Sequence, residues 1–299
     1  MSATRRDIQI ESHGNLLGGW LYTPSTLKQK DGKYPAIVLA HGLGAVKEMA
    51  LDRYSERFSA AGFLCVVFDY RFFGSSTGRP RGLIDPSLQL EDWSAALDYT
   101  KSLPDVDTRR IGIFGSSFSG GHVIRVAAAH PDTVSAVVSQ CPFTDGLASA
   151  RQVPLRTLPS TALLALRDQF FSTNDEPVRI KLVGEPGEVA LMSTEESMKY
   201  KGLVPPGMKL EIEAVPARIV LKMPLLYPGS YTSQVQCPIM FGICGKDSVA
   251  PPKPTEYYAK KAPKGTIKYY PEMGHFDIYL GENFEKAVGD YVAFLDAVL

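Results

Sequence analysis

The sequence predicts an α/β fold built on a mostly parallel sheet, with one long insertion. Short continuous apolar runs, typical of strands buried on both faces, alternate with segments whose apolar residues recur at helical spacing. Such alternation indicates right-handed βαβ units. The pattern stops after residue 141 and resumes near residue 238. We therefore expect a core made of residues 1–141 and 237–299, into which residues 142–236 are inserted as a cap.

The elements of the core follow in order along the chain. An antiparallel hairpin opens it, because the alternating stretches DIQIES (7–12) and LLGGWLY (16–22) flank the turn HGN. Buried strands are then expected at PAIVLAHG (35–42), FLCVVFDY (63–70), RIGIF (110–114), VSAVVSQC (134–141), PIMFGICG (238–245) and GTIKYYPE (265–272). Helices are predicted over 46–61, from 86 to 103, and over 118–129, 254–262 and 282–298.

The insertion, residues 142–236, lacks the alternation of strands and helices. It contains several prolines, two helix-like stretches (160–171 and 193–200) and no clean buried strand, so we expect a largely helical cap over the sheet. It is rich in large apolar side chains, and burial of the cap on itself and on the sheet is expected to explain most of them. These residues are Phe143, Leu155, Leu158, Leu163, Leu164, Phe170, Phe171, Met192, Met198, Met223 and Leu226.

Composition excludes several classes of function. The 32 basic residues balance the 32 acidic ones without a long basic run, which argues against binding to nucleic acid or to anionic membranes. No stretch has the length of a membrane span and no apolar signal core begins the chain, so a cytoplasmic protein is expected. The four cysteines show no metal-ligand spacing and are expected to be buried free thiols. Neither a metal nor a cofactor is expected.

The stretch GSSFSGG (115–121) indicates a nucleophile between a strand and a helix. A sharp turn at a nucleophile requires small residues two positions before and two positions after it. Ser117 and Ser119 both meet this condition, whereas Ser116 has a phenylalanine two positions later. Because the apolar run ends at Phe114, Ser117 falls at the turn and Ser119 already inside the helix. A phosphate-binding loop is the other interpretation, but the glycine spacing of dinucleotide sites and the G-K-[ST] ending are missing.

A serine nucleophile needs a base and a group that orients the base. Among the five histidines, His275 follows the last strand of the sheet, at the edge where functional groups collect. Asp247 follows the preceding strand by a tight turn and stands between the serine and the histidine in chain order. Asp145 is the alternative acid, although its neighbours resemble a turn into the cap. The predicted catalytic residues are thus Ser117, Asp247 and His275.

An oxyanion hole and a substrate wall complete the predicted site. One backbone N–H is expected from Phe118 at the turn, and a second from Leu43 in the loop AHGLG after the first parallel strand. Phe72, Phe143 and Phe276 are expected to contact the substrate.

The segments AHGLG, FDYRFFGSS, GSSFSGG, GKD and GH together resemble the α/β-hydrolase superfamily. The resemblance covers nearly the whole chain outside the cap. GSSFSGGHV with an opening hairpin is similar to dienelactone-hydrolase-like and X-Pro-peptidase-like serine hydrolases, and to polyketide transferases and hydrolases of biosynthetic clusters. One departure is Ser119, where that turn usually has glycine. The resemblance implies the α/β-hydrolase fold and acyl transfer through an acyl-serine, without a cofactor.

The predicted function is hydrolysis of an ester or thioester of an apolar acyl group, from a small molecule or a carrier. The serine at position 117 argues against dehalogenases and epoxide hydrolases, which use an aspartate, and against dienelactone hydrolases, which use a cysteine. The alternatives are transfer of the acyl group to an alcohol, hydrolysis of a C–C bond, peptide hydrolysis, and a binding protein that has lost catalysis. The acyl group, the acceptor and formation of a homodimer stay open.

Overall fold

Eight strands form the central sheet of the computed structural model, which describes residues 3–25, 32–210 and 212–299. Their order in the sheet is β1-β2-β4-β3-β5-β6-β10-β11, and β7, β8 and β9 form a second, small sheet. The strands are β1 (Thr4–Ser12), β2 (Asn15–Thr23), β3 (Tyr34–Ala40), β4 (Leu64–Phe68), β5 (Val106–Ser116), β6 (Val134–Gln140), β7 (Arg179–Val183), β8 (Ala190–Met192), β9 (Ala214–Pro216), β10 (Ile239–Cys244) and β11 (Gly265–Tyr270).

The pairing confirms the predicted architecture. β1 pairs antiparallel with β2, β2 pairs antiparallel with β4, and all the remaining pairs of the large sheet are parallel. β4 and β10 are buried at every position, as expected for strands covered on both faces. The carboxyl ends of β3, β5, β6 and β10 therefore meet at one edge of the sheet, where the candidate site lies.

Helices cover the sheet and contribute to the cap. They are α1 (Leu51–Ala60), α2 (Pro86–Ser102), α3 (Phe118–Ala129), α4 (Gly146–Ala150), α5 (Leu158–Phe171), α6 (Ile219–Lys222), α7 (Pro252–Ala259) and α8 (Gly281–Val298). Within the core, α1 packs against α8 and α2 packs against α3. No helix among the described residues has the length and apolar character that crossing a membrane requires.

The helix predicted over 46–61 begins only at Leu51. Ala50 has a left-handed backbone conformation, with φ 79°, which cannot continue into a helix. Before it, the Lys47 backbone N–H donates to Asp69 Oδ1 at 2.7 Å, so this stretch is held as a loop. The apolar periodicity of residues 46–50 thus belongs to a turn packed on the core.

The cap contains strands that the sequence did not predict. β7 pairs with β8 in parallel and with β9 in antiparallel orientation, so the cap contains a small three-stranded sheet in addition to its helices. In β7 only the alternate residues Ile180 and Leu182 are buried, and a search for continuous apolar runs misses such a strand. The stretch predicted as a helix over 193–200 forms a 3₁₀ helix, Glu195–Leu203.

The outer face of α5 corrects another expectation. Several of its apolar side chains lie in solvent rather than in the cap interior: Leu163 is 58% exposed, Phe170 68% and Phe171 85%. Leu155 and Leu158, at the start of the same segment, are also exposed. Burial therefore does not explain most of the large apolar residues of this helix, because only Thr161, Ala165 and Asp168 of α5 are buried.

Candidate active site

Ser117 lies at the sharp junction between β5 and α3. Its backbone is strained for a residue with a side chain, with φ 58° and ψ −117°. The glycines around it allow the strand and the helix to approach each other. A Cβ at Gly115 would lie 2.3 Å from the Ser119 carbonyl oxygen, and one at Gly121 would lie 2.3 Å from the Phe143 carbonyl oxygen. Gly115 is thus required by the turn itself, and Gly121 by the close approach of the segment after β6 to α3.

The hydroxyl groups of the two neighbouring serines, Ser116 and Ser119, are buried and hydrogen-bonded. Ser119 is fully buried, and its Oγ is hydrogen-bonded to the Tyr70 hydroxyl at 2.8 Å. Ser116 Oγ accepts a hydrogen bond from Gln140 Nε2 at 2.8 Å and is hydrogen-bonded to the Tyr279 hydroxyl. Among the described residues neither of these two hydroxyls is hydrogen-bonded to a histidine, whereas that of Ser117 is.

Ser117, His275 and Asp247 are hydrogen-bonded in series. Ser117 Oγ is 2.8 Å from His275 Nε2, and His275 Nδ1 is 2.6 Å from Asp247 Oδ2. The other carboxylate oxygen of Asp247 accepts hydrogen bonds from the backbone N–H groups of Val249 at 2.9 Å and Ala250 at 2.7 Å. These two bonds hold the carboxylate in the orientation that fixes the imidazole.

The alternative acid, Asp145, has a different environment. Its carboxylate accepts a hydrogen bond from the Ala148 backbone N–H at 2.9 Å and caps the N-terminus of α4. It thus stabilises the beginning of the cap, and His275 is paired with Asp247 instead.

The ionisation of His275 is set by two opposing effects. Burial alone would lower the pKa of His275, but the nearby Asp247 carboxylate raises it, and the result lies above the ordinary value of about 6.5. The Glu196 carboxylate of the cap adds to this rise in the pKa. The site therefore stabilises the imidazolium form, the state in which a base has accepted a proton.

The loop after β3 approaches Ser117 closely. A Cβ at Gly42 would lie 2.9 Å from Ser117 Cβ, so the loop can approach this far only with glycine there. In the part of the chain that the structure describes, the backbone N–H groups of Leu43 and Phe118 donate to no hydrogen-bond acceptor. The loop is fixed by the buried Asp69, which accepts hydrogen bonds from the Lys47 backbone N–H and, at 2.7 Å, from Lys47 Nζ.

Two adjoining cavities lie at the carboxyl ends of the parallel strands, beside Ser117. We call the smaller one the inner cavity; it is lined by Ser117 and His275 and also by Phe276. The larger one, the outer chamber, encloses about 890 Å³, open solvent at its mouth included. Leu43 and Met192 line both. The walls of the outer chamber are mainly apolar, and no Asp, Glu, Lys or Arg of the described chain lines it.

The predicted substrate contacts are only partly brought together. Phe143 lines the outer chamber and Phe276 the inner cavity. Phe72 lines neither of these two cavities. Its backbone is left-handed, with φ 76°, and its ring lies against Gly78 in the loop after β4. Sequence proximity to the strand end could not reveal this side-chain direction.

A cap carboxylate that the sequence did not single out contacts both of the loops that carry the predicted acid and base. Glu196 accepts hydrogen bonds from the Ser248 backbone N–H at 3.0 Å and, more weakly, from the Phe276 backbone N–H at 3.4 Å. On the same 3₁₀ helix, Lys199 forms an ion pair with Asp277 at 2.6 Å. Cap and core thus meet beside Asp247 and His275 rather than only at the ends of the insertion.

The described residues hold one cluster of three potential metal ligands, Cys141, Asp247 and His275, whose ligand atoms lie within 4.8 Å of one another. A metal there would compete with the 2.6 Å hydrogen bond between Asp247 and His275. The residues therefore fit the serine–histidine arrangement better than a metal site. Cys65, Cys141, Cys237 and Cys244 are free, and only Cys237 is not fully buried.

Comparison with known proteins identifies the family. The sequence profile of the X-Pro dipeptidyl-peptidase (S15) family matches residues 14–179. The quorum-quenching protein AidA of Acinetobacter baumannii is 43% identical over 296 residues, covering 98% of this chain and 95% of its own. This chain belongs to the S15 family of α/β-hydrolases.

Other relatives are named as a thiohydrolase and as polyketide transferases. The thiohydrolase aneE of Aspergillus aculeatus is 27% identical and covers 89% of this chain and 86% of its own. Further relatives are named polyketide transferases. The α/β-hydrolase GrgF of a Penicillium species has the same fold, with a TM-score of 0.84 at 21% identity over 99% of both chains. This S15-family chain is therefore an enzyme of the hydrolase and acyltransferase type.

Proposed function

We propose that this enzyme hydrolyses an ester or thioester of an uncharged, largely apolar acyl group through an acyl-serine on Ser117. The proposal rests on one observation. The hydrogen-bonded series Ser117–His275–Asp247 adjoins a chamber that no charged side chain of the described residues lines. A nucleophile and its base need hydrogen-bond contact, and an apolar wall favours an apolar acyl chain.

The first half of the reaction acylates the serine. His275 Nε2 takes the proton of Ser117 Oγ while the oxygen attacks the carbonyl carbon of the substrate. Asp247 stabilises the imidazolium that forms. The negative charge on the carbonyl oxygen is stabilised by the backbone N–H groups of Leu43 and Phe118. His275 then gives its proton to the departing alcohol or thiol, and the acyl group remains on Ser117.

The second half repeats this chemistry with water. His275 removes a proton from a water molecule, whose oxygen attacks the acyl carbon, and the proton passes to Ser117 Oγ as the acid leaves. A transferase would admit an alcohol in place of water and must exclude water to do so, since bulk water is about 55 M. The burial of His275 and the presence of a cap support transfer as the second candidate. A lid that selects a bulky ester explains the cap more simply, so we favour hydrolysis.

Peptide hydrolysis is less well supported. An enzyme that releases dipeptides from a free N-terminus needs a group that pairs with the terminal ammonium. None of the described residues that line the outer chamber or the inner cavity is an aspartate or a glutamate. Burial of an unpaired ammonium in such a chamber would be costly.

The experiment is a panel of p-nitrophenyl esters from acetate to dodecanoate, assayed with and without added alcohol. We expect turnover that rises with chain length and is lost in Ser117→Ala. Free acid should be the main product at every alcohol concentration. Dominance of a new ester at millimolar alcohol would instead establish the transferase, because competition with bulk water cannot produce that ratio. Absence of turnover on all esters and on the matching thioesters would overturn both candidates.

A further inference from the structure

The outward side of α5 carries a line of exposed apolar residues. Four of them lie at the spacing i, i+4, i+7 and i+11, which places them on one face of the helix: Pro159, Leu163, Leu166 and Phe170. Phe171 is exposed beside them. We call these five residues the apolar row. The same spacing forms the contact seam where two helices pack side by side.

Folding of the chain does not explain the apolar row. The opposite side of α5 is the one that packs inside the cap, where Thr161, Ala165 and Asp168 are buried. The Asp168 carboxylate accepts a hydrogen bond from Arg218 Nε at 2.7 Å, and α5 also packs against α6 and β7. These contacts hold the helix in place while its apolar row stays in solvent. A large contiguous exposed apolar surface is uncommon on monomeric proteins and is typical of a binding surface.

The charges at the two ends of α5 have opposite signs. Arg151 and Arg156 are exposed before the helix, and Asp175 and Glu176 are exposed after it. None of the four belongs to an ion pair among the described residues. When two copies of such a helix lie antiparallel, the basic end of each is next to the acidic end of the other. The ends therefore attract each other in the antiparallel orientation and repel each other in the parallel one.

We propose that the apolar row binds the apolar row of a second copy of this chain, with the two α5 helices antiparallel about a two-fold axis. Such a contact is isologous, because each copy contributes the same patch. The axis passes between Leu163 and Leu166, at the middle of the row, and Phe170 of each copy packs near Pro159 of the other. The chain has 32 basic and 32 acidic residues, so net charge does not hold two copies apart.

A membrane surface is another occupant that an apolar helix face can have, and α5 fits it less well. Helices that lie on membranes carry lysine and arginine on the sides of their apolar face. The only exposed charged residue of α5 is Arg167, and the segment after the helix is acidic. Asp175 and Glu176 are repelled by an anionic membrane, whereas they meet arginines in the dimer.

Sedimentation velocity over a concentration series from about 1 to 100 µM tests the dimer. One helix per copy buries less than the roughly 800 Å² of a standard interface, so we expect a reversible dimer with a dissociation constant in the micromolar range. Leu166→Glu puts a carboxylate beside the axis in both copies and should raise that constant at least about 100-fold. Leu163→Glu should do the same, and it decides if Leu166→Glu fails to fold.

The matched control for these variants is Leu16→Glu. Leu16 is 40% exposed on β2 of the core, and Leu166 is 44% exposed on α5, so both substitutions place a carboxylate at a similarly accessible leucine. Leu16→Glu should leave the dissociation constant unchanged. Its dimer and the monomer of Leu166→Glu should show the same far-UV circular dichroism.

Charge reversal tests the antiparallel orientation. Asp175→Arg together with Glu176→Arg puts arginines at both ends of the helix and should weaken the dimer about tenfold at low salt. Adding Arg151→Glu and Arg156→Glu to the same chain exchanges the two signs and should restore the affinity of the wild type. A local structural effect of the first pair would not be rescued by the second pair, which lies at the other end of the helix.

The contrary results are equally specific. A wild type that is monomeric throughout the series would overturn the proposal, and so would a dimer that both Leu163→Glu and Leu166→Glu leave intact. Failure of the exchanged charges to restore a weakened dimer would overturn the antiparallel arrangement. Flotation with phosphatidylcholine–phosphatidylglycerol vesicles tests the membrane. A monomeric wild type that floats with these vesicles, beside a Leu166→Glu that does not, would assign the apolar row to a membrane instead.

Discussion

Glu196, in the cap, accepts a hydrogen bond from the Ser248 hydroxyl at 2.9 Å in addition to the one from the Ser248 backbone N–H. Ser248 directly follows Asp247, and the same carboxylate reaches the backbone of Phe276, which follows His275. A single side chain of the insertion thus connects the two loops that carry the predicted acid and base. The cap therefore helps to hold these two loops in place as well as covering the site.

Glu196 is therefore expected to act as a positioning residue. Glu196→Gln keeps an acceptor oxygen but removes the charge that raises the pKa of His275, so the rising limb of the pH profile should move to lower pH. Glu196→Ala should in addition lower kcat/KM about tenfold or more, since the loops lose their common acceptor. Pre-steady-state and steady-state pH profiles measure both effects.

The control for this pair is Glu195→Gln, because Glu195 is the exposed neighbour on the same 3₁₀ helix. Its pH profile should match the wild type. Identical profiles for Glu195→Gln, Glu196→Gln and Glu196→Ala would contradict the positioning role.

The pH dependence of the wild type follows from His275. The histidine must be neutral to accept the serine proton, so kcat/KM should rise with pH and level off above the pKa of His275. Because Asp247 raises this pKa, the midpoint should lie above about 6.5. Asp247→Asn should lower the plateau by about 10⁴-fold and move the midpoint to lower pH.

Asp145→Asn tests the alternative acid under the same assay. Asparagine also caps helices well, so this variant should keep its rate and lose little stability. A near-normal Asp247→Asn beside an inactive Asp145→Asn would transfer the role of the acid to Asp145.

The close approach of Gly42 to Ser117 gives a prediction for the oxyanion loop. In Gly42→Ala the new methyl group would stand 2.9 Å from Ser117 Cβ and 3.1 Å from the Ser116 carbonyl oxygen, so the loop must move away. We expect kcat to fall about 10²-fold, because the Leu43 N–H leaves the developing charge. Gly202→Ala, where no atom lies within 4 Å of the added Cβ, is the control. Equal rates for the two variants would exclude Leu43 from the oxyanion hole.

Much of the fold and of the candidate site could be predicted because the signals are local. Gly115, for example, is required by a contact within a few residues, that with Ser119. Asp247 and His275 come at the ends of buried strands, and parallel strands bring their carboxyl ends to one edge. The family match and the sheet order agree with this reasoning.

The remaining features depend on packing that no local pattern encodes. Glu196 is one of several acidic residues in the cap, and only the docking of its 3₁₀ helix brings it to Ser248. The direction of the Phe72 ring follows from a left-handed backbone, which phenylalanine rarely adopts. The strand β7 was not predicted because its buried and exposed residues alternate. The exposure of the leucines of α5 was not predicted because apolar character alone does not tell which face of a helix is buried.

Ser117, and no other serine, is expected to be the nucleophile. The most direct measurement is labelling with a serine-reactive fluorophosphonate, followed by mass spectrometry of the peptide that carries residues 115–121, in the wild type, Ser117→Ala and Ser119→Ala. We expect one label per chain on Ser117, the same label in Ser119→Ala and none in Ser117→Ala, with ester turnover lost in parallel. A label on Ser119, or full labelling and turnover in Ser117→Ala, would contradict it.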